Sequence, residues 1–285
     1  MRILNMGREN AMITKAYETV LVEITDGIAW VTLNRPEKRN AMNPQLHFDM
    51  VETLTWLNTD AECKVLVLTG AGDSWCAGMD LKEFFRELDD KPVERAAARD
   101  ADRRWGWYGL NRFSKPTIAM VNGYCFGGAF TPLVACDFAI AGDDAIFGLS
   151  EVNWGIIPGG LVSKVVTEVM THRKAMYYAC TGRSFDGKEA EAIGLVTSSV
   201  PADRLKEEVT ALAKDLMEKS PAVLRAVKEA MRAVTHMTVD EAYEYLEAKQ
   251  EQMRFRDDAG TRARGIEEFI EKKTYRPGFE PVGKG

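Results

Sequence analysis

The chain has 285 residues, 46% hydrophobic and 28% charged, a composition that suits one large globular domain, or a core with an appendage, and excludes a disordered chain. Its formal net charge of −6 supplies no global basic field, so nucleic acid is not the expected partner. The sequence holds no apolar run of about 18 residues to suggest a membrane span, and its three histidines and five cysteines show no metal-ligand spacing.

The cysteines, Cys63, Cys76, Cys125, Cys136 and Cys180, are odd in number and scattered, which reads as reduced thiols in a cytoplasmic protein. Residues 1–15 read as a flexible lead without the apolar segment of a signal peptide.

Residues 18–34, ETVLVEITDGIAWVTLN, predict two strands joined at Asp26-Gly27, a strong hairpin signal. From Asn43-Pro44 to about Asn58, Leu46, Met50, Leu54 and Leu57 recur at helical spacing. VLVLTGAG (65–72), KPTIAMVNG (115–123) and DFAIAGDDAIFG (137–148) supply further strand and turn signals. Segment 86–107 is highly charged before it turns aromatic. It reads as a solvated loop and helix, or as a lid that would turn Trp105, Trp107 and Tyr108 toward a pocket.

Strands alternating with helical stretches argue for crossovers and a buried sheet. Beyond about residue 160 the chain turns helical over 161–180, 202–219, 221–234 and 238–273. The expected organisation is an α/β core over 16–200 and a helical C-terminal region over 201–285.

Two glycine turns follow strands, one with Ala77-Gly78-Met79-Asp80 and one with Gly127-Gly128. Glycine lets a backbone approach a ligand, and a helix entrance leaves its first N–H groups unpaired. Two such groups aimed at one point would form an oxyanion hole, each donor worth about 3 kcal/mol to a transition state that builds charge on oxygen. Each turn taken alone is equally a tight bend. Neither carries a P-loop or a GxGxxG pattern, and GxSxG is absent. In FGLSEVNWGIIPGG (147–160), Glu151 is a lone carboxylate among apolar residues. It is either a satisfied structural acid or a proton carrier whose surroundings raise its pKa.

Taken together, LNRPEKRNAM (33–42), AGMDLKE (77–83), KPTIAMVNGYCFGG (115–128), ACD (135–137) and FGLSEVNWGIIPGG resemble the crotonase (enoyl-CoA hydratase/isomerase) family. Within it the pattern is similar to hydroxycinnamoyl-CoA hydratase-lyases over roughly residues 16–280. The resemblance implies an α/β crotonase (ClpP-like) fold of repeated ββα units, with a C-terminal helical region that makes a homotrimer or a dimer of trimers. It implies an acyl-CoA thioester as substrate, with no cofactor beyond the coenzyme A that the substrate carries.

By position, the N–H groups of Met79 and Gly128 would form the oxyanion hole. Lys38, Arg39 and Ala41 would hold the nucleotide end of CoA, helped by Lys272 or Arg276. Ala77, Asp80, Leu81 and Trp154 would line the substrate path. Enoyl-CoA hydratases carry a second glutamate where this chain has Thr131, which leaves Glu151 as the one protein acid/base, with Thr131 as a partner for water or the β-oxygen. The implied reaction is hydration of a 4-hydroxycinnamoyl-CoA followed by retro-aldol cleavage to an aromatic aldehyde and acetyl-CoA. The lyases carry tyrosines at the positions of Phe84 and Glu247. Tyr243, one helical turn before Glu247, could supply the missing phenol. A hydratase or isomerase of other acyl specificity, or a CoA-binding homologue of weak activity, stays open.

Overall fold

The computed structural model describes residues 13–256 and 260–273. The chain divides into two compact units, Met1–Met217 and Glu218–Gly285.

Among the described residues the first unit contains eleven strands: β1 (Ile13–Ala16), β2 (Val20–Thr25), β3 (Ile28–Leu33), β4 (Val65–Gly70), β5 (Ser74–Cys76), β6 (Thr117–Val121), β7 (Tyr124–Phe126), β8 (Phe138–Gly142), β9 (Phe147–Gly148), β10 (Ser184–Phe185) and β11 (Ser198–Val200). They form a seven-stranded sheet in the order β1-β2-β3-β4-β6-β8-β11 and a four-stranded sheet in the order β10-β9-β7-β5. The pairs β4/β5, β6/β7 and β8/β9 each send their first strand to the larger sheet and their second to the smaller. The chain thus advances as a spiral of repeated strand–strand–helix turns.

The hairpin at Asp26-Gly27 joins β2 to β3 in antiparallel register, with both turn residues at positive φ, as a type I′ turn demands. Helix α1 (Pro44–Thr59) starts at Asn43, whose side chain accepts from the Leu46 amide, and buries Leu46, Met50, Leu54 and Leu57. Strand β4 is buried along its whole length, as a parallel strand covered on both faces must be. Leu66 and Leu68 enter the main core, while Val65 and Val67 point to the opposite layer. The period-2 alternation therefore sorts residues between two interiors instead of between interior and water.

Helix α2 (Pro92–Arg103) fills most of segment 86–107. Trp105, which the lid alternative aimed at a pocket, is a core residue with no exposed surface. It donates to His47 Nδ1 at 2.7 Å. Burial pushes His47 down to about 3, so the imidazole stays neutral and its Nδ1 serves as the acceptor. Trp107 is half-buried and Tyr108 exposed.

Among the described residues, α3 (Phe130–Ala135), α4 (Val162–Val169), α5 (His172–Thr181) and α6 (Gly187–Ala192) follow α2 in the first unit. The predicted helix over 161–180 is thus two helices, broken at Met170-Thr171, where the backbone turns extended. Helix α7 (Leu205–Met217) packs Leu205, Val209 and Ala213 on the outer face of the larger sheet, so a helix that the sequence groups with the C-terminal region sits in the first unit.

The second unit holds α8 (Pro221–Ala233), α9 (Val239–Arg256) and α10 (Thr261–Ile266). Lys249 of α9 binds Glu229 of α8 at 2.7 Å. Gly260 precedes α10 in the left-handed region. No described helix is long and apolar enough to cross a membrane.

Candidate functional site

Strands β5, β7 and β9 run parallel in the smaller sheet, so all three release the chain at one edge. Met79 follows β5, Gly128 follows β7 and Glu151 follows β9, each within three residues of the strand end. Side chains and amides beyond the carboxyl ends of parallel strands are where α/β folds gather ligands. The two short strands β5 and β7 stand between the longer strands and the glycine turns, so these turns are not the direct strand-to-helix junctions that the sequence predicts. Three-residue strands are too short to display a period of two.

The first turn is held by backbone. Met42 donates to the Gly78 carbonyl at 2.8 Å and accepts from the Asp80 amide at 2.9 Å. In such a parallel bridge, the residue between the two bonded groups aims its own N–H and C=O to the other side. Met79 therefore presents its amide away from Met42. Gly78 has φ +88°, and a Cβ there would stand 2.6 Å from the Phe126 carbonyl oxygen and 3.2 Å from the Gly128 nitrogen. Only glycine lets the two turns approach this closely.

The second turn begins a 3-10 helix at Gly127–Ala129, whose first N–H groups have no intrahelical partner. Gly128 belongs to that first turn. A Cβ on Gly128 would meet the Met79 side chain at 2.9 Å, and a Cβ on Gly127 would meet Glu151 Oε1 at 3.2 Å. Met79, Gly128 and Glu151 thus come together around the Gly127-Gly128 backbone.

Glu151 opens a short 3-10 turn, Glu151–Trp154, closed by Gly155 in the left-handed conformation. Its side chain is buried, with 8% of the residue exposed, and Oε2 has no hydrogen-bond partner among the described residues. Burial raises its carboxyl above the ordinary glutamate value. A half-desolvated acid with one uncommitted oxygen is poised to exchange a proton. Thr131 lies half-buried on the first turn of α3.

Lys38 and Arg39 are exposed on the loop after β3. Arg39 adopts a left-handed conformation and lays its guanidinium 4.8 Å from the Tyr124 ring centre. Ala77 donates to the Arg39 carbonyl at 2.9 Å, which ties that loop to the Met79 turn. Ala41 is half-buried, and its carbonyl accepts from Arg35.

Asp80 caps the wide turn Leu81–Phe85, accepting from the Lys82 and Glu83 amides, and its second oxygen accepts from Arg35 at 3.0 Å. Burial pushes the Asp80 carboxyl up, but the Glu83 amide, the Arg35 guanidinium and the Lys82 amide together hold it below the usual range. Leu81 and Trp154 are exposed. Phe84 is buried in an edge-on contact with His47, ring centres 5.2 Å apart, and shares a small apolar cluster with Met79.

Tyr243 and Glu247 are exposed on α9 of the second unit. Lys272 is exposed, paired with Glu267 at 2.8 Å. Arg276 lies outside the described residues.

Arg35 is the site neighbour that the sequence leaves unmarked. Beside Pro36 it reads as the end of a strand, and nothing local announces that its guanidinium is buried and spans three acceptors. The signal available was the pair of acids, Asp80 and Glu83, spaced three apart on a turn that leaves them on one side.

Two amide donors and one raised carboxylate at a common strand edge can hold negative charge on a carbonyl oxygen while moving a proton beside it. The chain belongs to the enoyl-CoA hydratase/isomerase family, whose profile matches residues 23–279, and its fold is the crotonase fold. It is 50% identical over 266 residues to the hydroxycinnamoyl-CoA hydratase-lyase of Pseudomonas fluorescens, covering 93% of this chain and 96% of that protein. A probable enoyl-CoA hydratase of Mycobacterium bovis is 35% identical over 259 residues, covering 90% and 96%. The crystal structure of an enoyl-CoA hydratase from Bacillus anthracis superposes with a TM-score of 0.77 at 28% identity, covering 92% of this chain and 96% of its own.

Proposed function

We propose that this enzyme hydrates a 4-hydroxycinnamoyl-CoA, such as feruloyl-, p-coumaroyl- or caffeoyl-CoA, and then cleaves the product to an aromatic aldehyde and acetyl-CoA. The observation that carries this reading is Glu151, a buried acid with one unpartnered oxygen beside the glycine turn, while position 131 is threonine. The 50% identity to a hydroxycinnamoyl-CoA hydratase-lyase supports it.

In the first stage Glu151 takes a proton from water as the oxygen adds to the β-carbon. The electrons of the double bond move to the thioester oxygen, where the Met79 and Gly128 amides receive the charge, and Glu151 returns the proton to the α-carbon. In the second stage Glu151 removes the proton of the new β-hydroxyl. The bond between the α- and β-carbons breaks, the aldehyde departs, and the enolate of acetyl-CoA takes the proton back from Glu151. One oxyanion hole serves both stages because each passes through a thioester enolate. A second carboxylate is dispensable where the para-hydroxyl of the substrate pushes electrons through the ring and the double bond, which opens the β-carbon to water through a quinone-methide-like species. Lys38, Arg39 and Ala41 hold the nucleotide end of CoA.

The test is turnover of feruloyl-CoA and crotonyl-CoA by the parent and by Glu151→Gln. The parent should release vanillin, and the variant should lose on the order of 10²- to 10⁴-fold in kcat, the usual contribution of a positioned acid/base. Activity on crotonyl-CoA alone would make the enzyme a hydratase of other specificity.

A further inference from the structure

A buried cation anchors the turn that carries Met79. Arg35, two residues beyond β3, is 7% exposed, and its guanidinium reaches the Ala41 carbonyl, Asp80 Oδ2 at 3.0 Å and Glu83 Oε1 at 2.7 Å. The other oxygen of Glu83 accepts from Asn43 at 2.7 Å, and Asn43 caps α1 through Leu46. One cation therefore ties together the loop over 35–43, the turn over 78–80, the wide turn behind it and the start of α1.

Buried ion pairs seldom improve stability over apolar packing, because desolvation offsets the attraction. A network of this kind does fix one geometry, since a planar guanidinium accepts only directions that match its fork. The geometry fixed here is that of Met79. Its two neighbours bond Met42, and Arg35 grips both sides of that bridge, through the Ala41 carbonyl on one strand and the Asp80 carboxylate on the other.

We propose that Arg35 is a positioning residue for the oxyanion hole, acting through Asp80 to hold the Met79 amide in the direction it needs. Asp80 then serves the turn from behind and does not touch substrate. Lysine at position 35 would supply the charge without the fork. This inference rests on the reading of Met79 as an oxyanion donor.

Asp80→Asn tests it. Asparagine keeps an oxygen that accepts from the Lys82 and Glu83 amides, so the cap survives while the charged tie to Arg35 goes. With feruloyl-CoA, kcat should fall about tenfold and KM should stay within about twofold, the pattern of a misplaced donor. A second readout is optical. Feruloyl-CoA bound to Glu151→Gln should absorb at longer wavelength than free feruloyl-CoA, because donors on the thioester oxygen polarise the conjugated system. That shift should shrink in Glu151→Gln/Asp80→Asn. A double variant that keeps the full shift, or an Asp80→Asn enzyme that loses KM but not kcat, overturns the role of Arg35 alone. No shift in Glu151→Gln itself refutes the oxyanion hole, and the positioning role with it.

Discussion

Glu151 occupies a place that costs the fold free energy whenever the side chain is charged. Burial raises its folded pKa above the ordinary value of 4.5, so the folded protein holds this proton more tightly than the unfolded chain does. The sign follows from linkage: below the unfolded pKa both states are protonated and nothing is lost, and the cost accumulates as pH rises through that value toward the folded one. Glu151→Gln should therefore melt at a higher temperature than the parent at pH 7, and the gap should close below about pH 4. Calorimetry across that range checks it, and an unchanged melting point at pH 7 would mean that the carboxylate is better solvated than its burial indicates. Among apolar neighbours the sequence already marks Glu151 as anomalous. The unpartnered Oε2 needed coordinates, because it depends on what the other turns bring within reach.

The elements that matter most are short ones. The turn after β7 places Gly127 at φ +52°, where a side chain strains the backbone, and points its missing Cβ at the Glu151 carboxylate. Gly127→Ala should destabilise the protein by about 1–2 kcal/mol through the left-handed backbone alone. It should also lower kcat well beyond what the lost stability explains, since the methyl group crowds the acid. Urea unfolding and turnover measured on one preparation separate the two effects, and full activity would show that Glu151 has room to retreat. The hairpin and α1 were legible because each carries a period of 2 or 3.6 over enough residues, and β4, β6 and β8 because each is a short apolar run beside turn signals. Strands β5, β7 and β9 were not, because two or three residues display no period. Arg35 escaped for a different reason: its three acceptors lie on segments joined only by folding.

For the whole molecule, the second unit leaves its apolar side chains uncovered. Val227 and Met231 on α8 and Val239 and Tyr243 on α9 are all more than half exposed, more apolar surface than two paired helices need for themselves. The expected cover is other copies of the chain. Analytical ultracentrifugation should give a mass of three or six chains, and a stable monomer at micromolar concentration would remove that expectation. The general organisation, a layered α/β portion before a helical one, was legible in the order of strand-like and helix-like runs. The place of α7 was not, because its contacts lie on the far face of a sheet whose strands look alike from either side. The spiral of strand pairs has a bearing on descent as well. Each turn delivers one chemical group to the common edge, so a lineage can replace the group on one turn while the packing of the others stays as inherited.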